Sequence, residues 1–266
     1  MNYYIENSSQ YTTTTSNSKT LNNEKRKIMK KLSLILSLLL ILSLVFALGA
    51  CNKNDKEDPQ GLRFHALRDG TWTVSEGESK KLSNNIVIPA TYKGGAVVGI
   101  DPYAFNYTSI TSITIPDSVT TIGDYAFENC DSLTSIIIPD SVTRIGFGAF
   151  AKCNSLVSVT IGDAVTSITS AFGWCESLTS VTLGASVTHI GGNAFVMCTS
   201  LTSITIPASV TTIDERAFGS CISLTNINFE GTVEQWNAID KVTNWNSEVP
   251  ATEVVCSDGV VSLTQD

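Results

Sequence analysis

Leu133 to Cys153 reads L-T-S-I-I-I-P-D-S-V-T-R-I-G-F-G-A-F-A-K-C, and the block recurs on both sides of itself with little change. Internal repetition is tested before any element is assigned, because it decides the architecture. Three markers keep one beat. A strand-ending position falls at Pro116, Pro139, Gly162, Gly184, Pro207 and Glu230, in steps of 23, 23, 22, 23 and 23 residues. An Ala-Phe pair recurs with its phenylalanine at Phe105, Phe127, Phe150, Phe172, Phe195 and Phe218. Three residues further on, five copies carry a cysteine: Cys130, Cys153, Cys175, Cys198 and Cys221.

Each copy opens with Ser-Ile-Thr-Ile-Pro or a close variant. This is period-2 alternation of β-branched residues, which marks a short strand. In Ser112–Ile115 the isoleucines point one way and the hydroxyls the other. Pro116 ends the pairing because it has no N–H to donate, and Asp117, Asp140 and Asp163 follow as turn residues. The chain returns through Val142, Ile145, Phe150 and Cys153, all able to point inward. One copy cannot cover both of its open faces, so neighbours must stack on it. At about 4.8 Å per coil, six strands make a rod roughly 30 Å long, with a parallel sheet along one side.

Leu133-x-x-Ile136-x-Ile138 and its copies fit the pattern L-x-x-L-x-L. The fuller unit, S-I-T-I-P-x-S-V-T-x-I-x-x-x-A-F-x-x-C-x-S-L-T, resembles the BspA-like class of leucine-rich repeats over roughly residues 86–228. That resemblance implies a repeat solenoid: a right-handed superhelix with short parallel strands on the concave face, irregular convex returns and a cap at each end. It also implies a bacterial surface protein that binds host or neighbour-cell molecules. Two copies depart from the unit. The one around Ile168 is a residue short and reads Thr-Ser-Ala-Phe, which suggests a tightened turn. The first has Thr108 in place of cysteine and a longer return, Ala90–Ile100.

The domain reading follows from the start of the chain. Residues 1–28 are polar, rich in Ser, Thr and Asn, and read as a disordered leader ahead of Met29, a candidate true start. Residues 29–50 form a secretory signal, with Lys30-Lys31, the apolar run Leu32–Ala47 and the small-residue end Leu48-Gly49-Ala50. The motif closes on Cys51, the expected lipidation site of a lipobox. A diacyl chain there would anchor the body to the membrane. The alternative is that Leu32–Ala50 stays uncleaved, since 19 residues are long enough to span. Either way the body lies outside the cytoplasm. Residues 51–60 read as a tether, 61–100 as N-terminal cap and first coil, 101–229 as repeats and 230–266 as C-terminal cap. Leu62–Glu78 reads as a hairpin around Asp69-Gly70. Val233–Ile239 reads as a short helix and Glu253–Cys256 as a strand, with Trp236 and Trp245 large enough to cover the last coil.

Net charge is −8, yet the first 51 residues carry six basic and two acidic side chains, so the remainder carries −12. A body that acidic argues against nucleic-acid partners. The repeat-phased cysteines suit a ladder of small buried groups; a disulfide pair and a metal site are the other readings. Cys256 has no in-register partner and is expected buried and free. The two histidines, His65 and His189, are far apart, with His189 at a variable surface position. No hydrolase, metalloprotease, P-loop or dinucleotide fingerprint occurs, and we expect neither enzyme activity, cofactor nor metal. The Asp117, Asp140 and Asp163 row is read as turn capping, with calcium as the alternative.

The candidate partner-binding residues are the outward strand positions Ser135, Ile137, Ser158, Thr160, Ser180, Thr182, Ser203 and Thr205, continued by Ser112/Thr114 and Asn226/Asn228. They form a flat hydroxyl ladder with almost no charge. One reading is that Ser and Thr suit a solvated strand face. The other is a contact face for a protein or glycan. Ice-binding solenoids also carry Thr rows, but Ile137 interrupts this one. The leading reading is a lipid-anchored surface protein that binds a macromolecule through its concave face; the second is an envelope scaffold without a host ligand.

Overall fold

The computed structural model describes residues 58–77 and 82–263, and residues 57–266 form one compact unit. The leader, the signal segment, Cys51 and most of the tether lie outside the described residues. The unit opens with an antiparallel hairpin, β1 (Leu62–Ala66) and β2 (Trp72–Glu76), as the sequence predicts. Then come β3 (Asn85–Val87), β4 (Thr91–Tyr92) and β5 (Gly95–Ile100). Every following coil contributes one longer strand and one of two residues. These pairs are β6 (Ser112–Thr114) and β7 (Thr121–Ile122), β8 (Ser135–Ile138) and β9 (Arg144–Ile145), and β10 (Ser158–Ile161) and β11 (Ser167–Ile168). They continue as β12 (Ser180–Thr182) and β13 (His189–Ile190), then β14 (Ser203–Ile206) and β15 (Thr212–Ile213). The chain closes with β16 (Asn226–Phe229), helix α1 (Val233–Ala238), β17 (Asp240–Lys241), β18 (Glu253–Val255) and β19 (Val260–Ser262).

The chain is a parallel β-solenoid, as the repeat predicts, and its returns are more ordered than the sequence suggests. The returns carry a second row of strands, β1-β2-β5-β7-β9 and β11-β13-β15-β17, opposite the predicted row. That first row is itself not continuous: it runs β3-β6, β8-β10-β12 and β14-β16-β18-β19. The short copy, Asp163–Gly184, sits at two of the three gaps. Its β11 pairs forward only, with β13, and its β12 pairs backward only, with β10. With one residue missing between Ile168 and Phe172, the copy cannot hold both rows in step with both neighbours.

The turns between the rows are regular as well. Each coil passes twice through the left-handed region, once before Ala-Phe (Tyr125 φ 56°, Ser170 φ 51°, Asn193 φ 57°) and once before the cysteine (Asn129 φ 57°, Lys152 φ 59°, Trp174 φ 60°). Side-chain-bearing residues accept the strain of this region, about 1–2 kcal/mol for each, because the fold overdetermines the turn. Gly148 is the glycine in the series (φ 62°), and a Cβ there would meet the Tyr125 ring at 2.6 Å.

What the two bends achieve is visible in the backbone bonding. The N–H of each ladder phenylalanine donates to the alanine carbonyl of the next coil: Phe105 to Ala126, Phe127 to Ala149, Phe150 to Ala171, Phe172 to Ala194 and Phe195 to Ala217, at 2.7–3.0 Å. Phe218 donates to Trp245 O at 2.9 Å. This line crosses every junction, including those where a strand row is broken. The six rings stack along it, with centroids 5.0–5.6 Å apart and planes within 6–11°. Trp245 closes the stack edge-on at 6.0 Å, and Trp236 packs on Phe229 at 5.3 Å. Helix α1 beneath them starts in a Thr232–Gln235 capping box.

The five repeat cysteines are free and buried, as the ladder reading has it. They do more than fill space. Each thiol donates to the phenylalanine carbonyl of the preceding coil, from Cys130 to Phe105 O through Cys221 to Phe195 O, at 3.1–3.2 Å. Thr108, at the cysteine position of the first copy, also donates to Phe105 O, at 2.6 Å. Burial pushes the Cys175 thiol up to about 12 from an ordinary value of 9.0, and raises Cys198 in the same direction.

Two outcomes are expected. Phe150→Ala removes a ring stacked on both sides and should cost about 3–5 kcal/mol, read from denaturant midpoints. Because the Cys175 thiol is raised on folding, its contribution is whole below pH 9 and is lost as pH climbs from there toward 12. The midpoint should therefore fall across that window, and Cys175→Ser should not abolish folding because the hydroxyl still donates.

Candidate binding face

The outward side chains of the first row come from alternation within each strand and parallel register between strands. Ser135, Ser158 and Ser180 stand side by side, and so do Ile137, Thr160 and Thr182. Ser203 pairs with Asn226 and Thr205 with Asn228 across β14 and β16. The eight residues singled out in the sequence therefore share one face, although the gap between β12 and β14 separates Ser203 and Thr205 from the other six. Seven are exposed and Ser158 is half-buried. Ile137 is 70% exposed in the middle of the hydroxyls, an apolar position with no folding role of its own. The ends of the same column are also apolar, with Val87 57% and Val255 45% exposed.

A groove that the sequence did not disclose runs along the end of this face. It encloses about 700 Å³ and is open to solvent on one side. Ile137, Thr160, Thr182 and Leu183 form one flank; Asp117, Asp140 and Asp163 form the other. No basic side chain lines it. The face and the turn aspartates, treated separately in the sequence, are thus two walls of one feature. A signal existed, since both sets follow the repeat's step of 22–23 residues, but strand periodicity says nothing about the corner joining strand to turn.

Asp140 and Asp163 do cap turns, those of the coil ahead. Asp140 Oδ1 accepts the Asp163 N–H at 3.0 Å, and Asp163 Oδ1 accepts the Ala185 N–H at 2.8 Å. Each braces the turn of the following coil. Among the described residues, no cluster of His, Cys, Asp and Glu is placed to hold a metal ion.

His189 is half-exposed on the second row. Its Nε2 lies 2.7 Å from Asp214 Oδ2 and its Nδ1 3.2 Å from Ser167 Oγ. The imidazole therefore clasps three successive coils. His65 pairs with Asp101 in the N-terminal cap, far along the chain from His189. A second exposed patch went unread in the sequence: Tyr103 stacks on Tyr125 at 5.2 Å, and Phe147 meets Tyr125 edge-on at 5.5 Å. The last residues of the expected tether also differ from it. Asp58 Oδ1 accepts the Gln60 N–H at 2.7 Å, and the Gln60 carbonyl accepts the Ser83 N–H at 2.8 Å, so this stretch belongs to the cap.

These features define a leucine-rich-repeat solenoid of the bacterial type. Residues 98–225 match the BspA type leucine rich repeat region, in six copies. Among solved structures, the chain is similar to the T. pallidum leucine rich repeat protein, at 26% identity with a TM-score of 0.65, covering 73% of this chain and 90% of that one. It is also similar in fold to a leucine-rich repeat protein from Eubacterium ventriosum, at 24% identity and a TM-score of 0.59, covering 76% of this chain and about half (52%) of that one. No curated protein sequence matches significantly. Among the described residues, no helix is long and apolar enough to cross a membrane.

Asp163→Ala leaves the Ala185 N–H without its acceptor and should lower stability by about 1–3 kcal/mol. Added calcium should leave the melting temperature of the unaltered protein where it is; a calcium-dependent rise would assign the aspartates to a cation instead.

Proposed function

We propose that this is a surface protein, held to the membrane through a lipid on Cys51, that binds a protein or glycan through its first-row strand face. The carrying observation is the pairing of an exposed Ile137 and a neutral hydroxyl column with an open groove of about 700 Å³. A solvated face needs neither the isoleucine nor the groove. The charged n-region, apolar run and small-residue end at residues 29–51 support an extracytoplasmic address. The BspA-type repeat supports surface exposure. The body carries −12, so the partner is not nucleic acid. No catalytic step is assigned to the face, whose groups are hydroxyls and aliphatic side chains.

The test uses residues 57–266 against an array of matrix proteins, mucins and glycans. Saturable binding is expected, and Thr160→Arg with Thr182→Arg should weaken it at least about tenfold, because two bulky charges would stand in the contact. Circular dichroism of the variant serves as the fold control. Binding untouched by the two arginines would place the contact elsewhere. A folded protein that binds nothing on the array would favour an envelope scaffold without a host ligand.

A further inference from the structure

The two ends of the solenoid are not flat, and they are stepped in opposite senses. At the N-terminal end the second row runs two strands further than the first, because β2 and β1 continue beyond β5 while the first row stops at β3. At the C-terminal end the first row runs two strands further, because β18 and β19 continue beyond β16 while the second row stops at β17. Each projection is two strands deep, and each recess lies on the row where the other end projects. A second copy translated along the axis would set its β19 beside β3, and β1 beside its β17. All parallel strands keep one direction in such a stack, so β19 would meet β3 antiparallel, as it already meets β18. Valines would face each other across the joint, Val87 on β3 at 57% exposure and Val260 on β19 at 53%.

The recessed edge is closed by side chains. In the parallel β3–β6 pair, Asn85 and Val87 turn their backbone groups outward, away from β6. Gln60 Nε2 donates to Val87 O at 3.0 Å, and Gln60 Oε1 accepts the Val87 N–H at 2.7 Å. Ser83 Oγ donates to Asn85 O at 2.9 Å and accepts the Asn85 N–H at 3.3 Å. Two side chains from separate segments thus occupy all four backbone groups that an added strand would use. One primary amide here imitates the donor and acceptor of a neighbouring strand residue. Open strand edges template pairing with another chain, and this is the kind of device that prevents it.

We infer that the stepped ends form a half-lap joint for a second copy of this chain, and that Gln60 and Ser83 hold the joint shut. The inference does not depend on the binding face proposed above. With the two side chains removed, a heterologous contact is left that does not close on itself, so copies should add head to tail.

The experiment is sedimentation velocity on residues 57–266, comparing the unaltered protein with Gln60→Ala plus Ser83→Ala. The unaltered protein should sediment as a monomer. The double variant, with native circular dichroism, should shift to a ladder of larger species as its concentration rises. Adding Val260→Lys, which puts a charge on the opposite half of the joint, should return it to monomer. A folded double variant that stays monomeric over the same range would overturn the inference. So would self-association indifferent to Val260→Lys, because the contact would then lie elsewhere. If the double variant loses its fold, Gln60→Met plus Ser83→Ala decides: the methionine keeps the length of the glutamine, and neither side chain can cap Val87 or Asn85. Its association, reversed by Val260→Lys, would support the joint, and a folded, strictly monomeric Gln60→Met plus Ser83→Ala would refute it.

Discussion

The phenylalanine line carries this structure. At every junction from Phe105 to Phe218 a ring stacks on its neighbour, its N–H reaches the alanine carbonyl of the next coil, and from the second copy on a cysteine thiol reaches back to a phenylalanine carbonyl. Neither strand row has this continuity. The strands are where a leucine-rich repeat is usually defined, yet here they pair in segments. The turn edge is what holds successive coils in step. Its residues adopt left-handed geometry without glycine at all but one of the twelve ladder positions, which makes sense if the hydrogen bonds and ring stacking beyond each bend compensate for it.

That division explains what could be read from the amino acids. The first-row strands, the inward phenylalanines, the buried cysteines, the N-terminal hairpin and the two capping tryptophans were all legible, because each depends on side-chain pattern or size. The second row was not. A strand of two residues, such as Thr121-Ile122, is too short to show alternation, and its pairing depends on where the rest of the coil places it. The row gaps were half legible: the 22-residue step marks the copy at fault, but which row lets go on which side is a matter of register.

The functional surface divides in the same way. The hydroxyl column could be listed from strand phase alone, and so could its aliphatic interruption at Ile137. The groove could not, since it exists where one coil's strand end meets the next coil's turn. The roles of Gln60 and Ser83 were still further out of reach. An isolated glutamine after a charged stretch looks like tether, and its meaning depends on a strand 27 residues away. Side chains that imitate backbone leave no periodic trace.

The uneven distribution of bonds across the coil has a mechanical consequence. Backbone bonds along the turn edge run through every junction, while the first row is interrupted after β6 and after β12. A rod built this way resists stretching along one edge and yields along the other. Its neutral axis of bending therefore lies near the phenylalanine spine. Flexure widens or narrows the spacing of the strand face, chiefly at those two gaps, and leaves the turns at nearly constant length. The curvature of the face that Ile137 and Thr160 occupy is thus set by joints on either side of that patch.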